Sequence, residues 1–287
     1  MMQPSPETKV EKEELNLVII IMSAKPHKEK RNACRTTWIQ LVDYRPVRHF
    51  FVIGSMGIDS MDMSQLLQEN ETHADLLILP QVADSYAGLT SKLLTAIKYI
   101  DQRFSFKFLL KVDDDSFVRL DTLYDEVSEL KNHRIYWGYF NAGAPVKKAG
   151  AWKETQWFMC DKYLPYAVGG GYLLSNDLVH YVAQNGDLLQ QYNSEDVSLG
   201  TWLSPLHINR RHDVRFDTWY KSRGCCNTFL IMHKQTPGLM QDRYQALEAF
   251  GTLCKREKYQ LAYLYDWSVL PSQCCNKRES PSHSEGT

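Results

Sequence analysis

Short runs of consecutive apolar residues, spaced by stretches of helical periodicity, constrain this chain more than anything else in it. Residues 17–22, 49–54, 75–79 and 106–112 each read as a strand, with Gly54 ending the second and Pro80 closing the third. A run that is apolar on both faces suits a strand covered on both sides, the habit of parallel sheets. Helical candidates fall between and after these runs, at 29–42, 63–69, 91–100 and 120–130. In 91–100, Leu93, Leu94, Ala96, Ile97 and Ile100 repeat at the spacing of one helix face. Strand and helix in alternation predict an α/β fold with a mostly parallel central sheet flanked by helices.

Beyond residue 134 the texture changes. An aromatic strand at 136–140 and a loop at 143–150 precede Gly169-Gly170-Gly171 and the apolar Tyr172-Leu173-Leu174. Helices are expected at 177–184 and 197–203, and the cysteine-rich remainder reads as shorter elements. With no internal repeat and no low-complexity linker, residues 15–287 form one expected domain. Its halves, 15–134 and 135–287, share a core, and residues 1–14, rich in Glu, Lys and Pro, form a disordered stem. A chain of 287 residues can bury such a core without help from metals or disulfides.

The net charge of -1 leaves no basic footprint for nucleic acid or an anionic membrane, so neither is an expected partner. No apolar stretch is long enough to span a bilayer, and residues 1–14 lack the apolar segment of a signal peptide. Of seven cysteines, five lie toward the C-terminal end, including the adjacent pairs Cys225-Cys226 and Cys274-Cys275. That clustering suggests disulfide stapling in an oxidising compartment, with scattered reduced thiols as the alternative. Asn70-Glu71-Thr72 is a glycosylation sequon, a triplet common by chance.

Chemistry concentrates where the fourth strand runs straight into Asp113-Asp114-Asp115, after Lys111-Val112. Ligands of open α/β sheets bind beyond the carboxyl ends of the strands. Carboxylates there are hard oxygen ligands for Mg²⁺ or Mn²⁺ gripping a diphosphate, and a cation relieves the repulsion of adjacent acids. An acidic surface turn is the alternative. In Ser194-Glu195-Asp196-Val197 the serine suits a helix N-cap and the acids suit the first turn. Equally, Glu195 or Asp196 could be a general base, and the residues alone do not choose. A lone histidine is usually structural, but His233, before Lys234, could complete an octahedral metal shell. Gly169, Gly170 and Gly171 permit close approach of backbone to a ligand, without the order of a dinucleotide fold or the lysine of a P-loop. Arg31 and Arg35, one helical turn apart, meet a phosphate or pair with acids.

Taken in order, Arg31-Asn-Ala-Cys-Arg35-Thr-Thr-Trp38, Asp113-Asp114-Asp115, Gly169-Gly170-Gly171-Tyr172, Glu195-Asp196-Val197 and His233-Lys234 resemble the beta-1,3-glycosyltransferases of glycosyltransferase family 31. The likeness covers nearly the whole chain after residue 15. The segments beginning at Tyr163, Ser194, Arg215 and Ser222, with the tail 265–275, are most similar to family members that add galactose to the glycosaminoglycan linker of proteoglycans. The family pattern has one cysteine where this chain has Cys225-Cys226.

The resemblance implies a GT-A fold, a UDP-galactose donor, Mn²⁺ and inversion at the anomeric carbon. It further implies a type II membrane protein of the Golgi lumen whose anchor is absent from this chain, working alongside other linker-synthesising transferases. Residue by residue, it makes Asp113, Asp115 and His233 metal ligands and Asp196 the base. Arg31, Arg35, Asp84, Lys92, Asp113 and Asp114 fall to the nucleotide, with Tyr86 in the same segment. Gly169, Gly170, Gly171, Tyr172, Trp157 and Glu195 shape the sugar and acceptor pocket. The alternatives are transfer of N-acetylglucosamine or to another acceptor, a non-catalytic glycan-binding scaffold, and a metal-dependent phosphohydrolase.

Overall fold

The computed structural model describes residues 13–42, 45–131 and 133–275. Of the expected stem, residues 1–12 lie outside these, while Glu13 and Glu14 already belong to the first strand. Strands β1 (Glu13–Met22), β2 (Val47–Gly54), β3 (Leu76–Leu79) and β4 (Phe104–Asp113) run parallel, in the order β3-β2-β1-β4. Helices α1 (Lys28–Arg35), α2 (Ser60–His73) and α3 (Leu89–Arg103) fall between them. The sheet is then extended by β7 (Tyr166–Ser175), β6 (Ile135–Asn141) and β8 (Asn209–His212), with β7 antiparallel to both neighbours.

Alternation along the strands divides the core in two. Leu17, Ile19 and Ile21 of β1 join one cluster with Trp38 and with Leu123 and Val127 of α4 (Leu120–Glu129). Val18, Ile20 and Met22 face the other, with Leu93 and Ile97 of α3, Val179 of α5 (Asn176–Asn185) and Leu199 of α6 (Glu195–Leu203). Both faces are therefore covered, as the continuous apolar runs demand, and each such side chain contributes roughly 1.5–3 kcal/mol before chain entropy is counted. A smaller sheet stands at the carboxyl end of β4: β5 (Ser116–Val118), β11 (Ile231–His233) and β9 (Phe216–Asp217), with β11 central.

Three elements differ from the sequence reading. The helix expected over 29–42 stops at Arg35 and resumes as a 3-10 turn over Trp38–Val42. Thr36 and Thr37 donate their Oγ1 groups to Asn32 and Ala33 carbonyls, offering the backbone an exit from the helix. The glycine run, to which the sequence assigned no element, lies inside β7. The remainder expected to hold only short elements contains α7 (Pro237–Phe250), started by Thr236, whose side chain accepts from Leu239 N, and ended by Gly251 at φ 68°. It buries only Met240 and Ala246, so its apolar periodicity is faint. Cys225, in the short strand β10 (Gly224–Cys225), is disulfide-bonded to Cys254. Among the described residues, no helix is long and apolar enough to cross a membrane.

Candidate active site

Strand register builds the acidic site. β4 ends at Asp113, and the chain turns through Asp114 and Asp115 into β5. β11 pairs antiparallel with β5, setting His233 opposite Ser116, and Gln235 N donates to Asp115 O at 2.8 Å. The imidazole is thereby delivered to the carboxylates: His233 Nε2 lies 3.0 Å from Asp115 Oδ1 and 3.4 Å from Asp113 Oδ2. One ligand atom from each of these three residues fits within 4.8 Å of the others.

The tautomer follows from the other ring nitrogen. His233 Nδ1 stands 3.0 Å from the Trp219 carbonyl, which can only accept, so Nδ1 carries a proton. In the neutral ring Nε2, buried and without a hydrogen bond of its own, then presents a lone pair toward the carboxylates. Two carboxylates and such an imidazole fit a divalent cation of the Mg²⁺ or Mn²⁺ kind. Burial pushes the His233 pKa down, but Asp113 and Asp115 outweigh it and raise it to about 9. Burial likewise works to raise the Asp115 carboxyl, yet His233 holds it near 2. Cation binding must displace the second imidazole proton. Asp114 points elsewhere, to His27 Nδ1 at 2.7 Å and Lys30 Nζ at 3.1 Å on the side of α1.

The glycine strand separates this cluster from the Glu-Asp pair. A Cβ on Gly170 would stand 2.7 Å from the His233 ring and 2.6 Å from Thr218 O. One on Gly169 would stand 2.8 Å from Glu195 Oε1 and 3.2 Å from Asp196 Oδ2. Glycine is required here because side chains crowd the strand, not for a turn. Gly169 N donates to Asp196 Oδ2 at 2.9 Å, and Val197 N to Asp196 Oδ1 at 2.8 Å. Ser194 holds the N-cap position of α6 but makes no capping bond with its side chain.

Glu195 and Asp196, inseparable in the sequence, part company in the structure. Glu195 is buried and accepts from Lys111 Nζ at 2.8 Å. Asp196 is half-buried, with no ion pair among the described residues, and burial followed by the Glu195 charge raises its pKa well above the usual carboxylate range. Carboxyl pKa values raised in this way mark groups poised for proton transfer.

Other expected contacts fall differently. Arg31 is fully buried, its guanidinium paired with Glu69 at 2.6 and 2.8 Å, and Arg35 bridges Glu69 and Asp75. These arginines tie α1 to α2 and the start of β3, and their donors are turned to protein acids rather than to a phosphate. Tyr172 has no exposed surface and lies beneath the Lys111 ammonium, 5.6 Å from ring centre to Nζ, so its ring lines no open pocket. Gly171 and Glu195 are also turned inward, the first against Ile231 and Val112. Lys92 and Asp84 pair at 2.6 Å beyond the ends of β1 and β2, where Asp84 Oδ1 also accepts from Gly54 N. Tyr86 is exposed and meets Trp152 edge to face. Trp157 packs between Tyr163 and Tyr192, against the start of α6.

Sequence reasoning gave no role to Lys111, nor to Lys30 and Lys234, which approach Asp115 at 3.7 and 3.2 Å. The signal for Lys111 was there: on a strand, residues two apart share a face, so a lysine two before Asp113 inside an apolar run stands beside it.

Residues 29–214, more than half of the chain, match the galactosyltransferase family model. With the carboxylate–histidine cluster at the strand ends, that match sets the class of the protein as a metal-dependent glycosyltransferase. The chain belongs to the galactosyltransferase family. It is 45% identical over 270 residues to beta-1,3-galactosyltransferase 6 of Mus musculus, covering 92% of this chain and 83% of that one. It is 34% identical over 194 residues to UDP-GalNAc:beta-1,3-N-acetylgalactosaminyltransferase 2 of Xenopus laevis, covering 67% of this chain and 39% of that longer one. Among solved structures, a mannosyltransferase from Pyrobaculum calidifontis in complex with GDP-Man and Mn²⁺ aligns at a TM-score of 0.41 and 13% identity. The alignment covers 71% of this chain and 55% of that one, a likeness too faint to carry an argument.

Proposed function

We propose that this chain is an inverting beta-1,3-galactosyltransferase that moves galactose from UDP-galactose to a galactose-terminated acceptor of the proteoglycan linker. The observation that carries the reading is the placement of the metal-type cluster and the Asp196 carboxylate on either side of one glycine strand. Asp113, Asp115 and His233 would hold a divalent cation, which would anchor the donor diphosphate, and Asp196 would serve the acceptor hydroxyl from the other side of β7. Mn²⁺ is the proposed cation, and when bound it supplies charge neutralisation for the departing UDP. Lys92 and Asp84 serve the nucleotide end beyond β1 and β2, while Lys30 and Lys234 offer their charges to the phosphates. Asp196 takes the proton of the acceptor 3-hydroxyl as its oxygen attacks, and Gly169 N and Val197 N hold the carboxylate in aim. One displacement with one base inverts the anomeric centre, whereas retention would call for a nucleophilic carboxylate. Residues 15–287 act as a single catalytic domain in the Golgi lumen, where the oxidising environment supports the Cys225–Cys254 bond.

A UDP-release assay with UDP-galactose, a galactosyl-xyloside acceptor and Mn²⁺ tests the reading. Release should require donor and acceptor together, stop with chelator, and fail with UDP-N-acetylglucosamine. Equal turnover of both donors would remove the galactose assignment, and silence with every donor would remove the enzyme.

A further inference from the structure

Lys111 sits where a lysine is expensive. Its neighbours Leu109, Leu110 and Val112 are core residues, and its own side chain is 2% exposed. An ammonium has three donors, and a buried one persists only if they are satisfied. All three have acceptors: Asp113 Oδ1 at 2.8 Å, Glu195 Oε1 at 2.8 Å and the Gly169 carbonyl. The acceptors belong to three different elements, the end of β4, the middle of β7 and the first turn of α6. Gly169 turns its other face to the base, donating N–H to Asp196. A continuous path of contacts thus runs from His233 and Asp113 through Lys111 to Glu195, Gly169 and Asp196.

We propose that Lys111 is a positioning residue that locks the metal-binding carboxylate Asp113 and the base-bearing turn of α6 into one rigid unit. The inference rests on the roles assigned above to Asp113 and Asp196. Lys111 touches no substrate in this scheme. It fixes the rotamer of Asp113 so that the carboxylate is preformed for the cation, and it holds Glu195 away from Asp196. Outer-sphere partners of metal ligands usually matter by ~10–100-fold in metal affinity or activity. A lysine that only neutralised two buried carboxylates would cost stability when removed, since Asp113 and Glu195 lose their partner, but would leave the metal affinity of the folded variant unchanged.

The test is Lys111→Met, with Mn²⁺ binding measured directly by the loss of the free-ion electron paramagnetic resonance signal in the presence of UDP. Thermal unfolding and kinetics are followed in parallel. A folded variant should bind Mn²⁺ ~10–100-fold more weakly and lose kcat by a similar factor, with acceptor KM little changed. Unchanged Mn²⁺ affinity and kcat in folded Lys111→Met would overturn the proposal. If that variant does not fold, Lys111→Arg takes its place. Its planar fork keeps the charge but cannot reproduce three divergent donors, so weakened Mn²⁺ binding is again expected and wild-type binding with wild-type kcat overturns it. Because the metal readout needs no sugar transfer, failure of the galactosyltransferase reading leaves wild-type turnover absent while the effect on binding can still be read.

Discussion

At Asp196 one carboxyl group is asked to be both buried and basic. Burial and the neighbouring Glu195 charge favour its protonated form, while the N–H groups of Gly169 and Val197 favour the ionised one, and the first pair wins. A base must be deprotonated to act, so activity is lost as pH falls through the raised value. The acid limb of kcat should therefore lie well above the ~4 of an ordinary carboxylate, and Asp196→Asn should abolish that limb. The same variant should lower kcat by ~10²–10⁴-fold while UDP and metal binding, measured by calorimetry, stay as they were. Wild-type turnover in Asp196→Asn, or an acid limb at the ordinary carboxylate value, would take the base assignment away from this residue.

The element that organises the site is β7, and its glycines were visible long before their purpose was. A strand interior is an unfavourable place for glycine unless another group must come close. Here the group is the His233 ring on one side and the Glu-Asp pair on the other. Gly170→Ala should push the His233 ring off the cluster, because the obstructing atoms at 2.6–2.7 Å are a backbone carbonyl and a ring, neither free to swing aside. Mn²⁺ affinity should fall ~10–100-fold, while Gly238→Ala, whose Cβ meets nothing nearer than 4.0 Å, should leave it unchanged; equal affinities in both variants would refute the close-approach account. The parallel strands could be read from the sequence because both faces of each are apolar, and the acids because they follow β4 without a gap. Of Lys111 only its place beside Asp113 could be read, for its tie to Glu195 spans 84 positions and stayed opaque. Arg31 was equally opaque, for its partner Glu69 is 38 positions off on another helix. Periodicity records which face is buried, whereas ion pairs between distant elements leave no local trace.

On the scale of the molecule, one sheet serves two cores, and the histidine reaches the site from outside that sheet. β1, β2 and β4 are held by both apolar clusters, so the acidic end of β4 is as firm as the core itself. His233 depends instead on β11 and on the segment that closes behind it. That segment begins at Cys225 and ends at Cys254, 29 residues later, and it carries β11 and all of α7. Closing a loop of this length removes unfolded-state entropy worth about 3–4 kcal/mol. At ~2–4 °C per kcal/mol for a protein approaching this size, breaking the bond should lower Tm on the order of 10 °C. Cys225→Ser and Cys254→Ser should each do so, whereas Cys226→Ser, at a buried free thiol, should not produce the loop-opening loss. Calorimetry with and without reductant checks the pairing, and a Tm that ignores both would show that the bond does not form. Mn²⁺ affinity should fall in the two destabilised variants even at temperatures where the main sheet is intact, because the loop they release is the one that delivers His233 to Asp113 and Asp115.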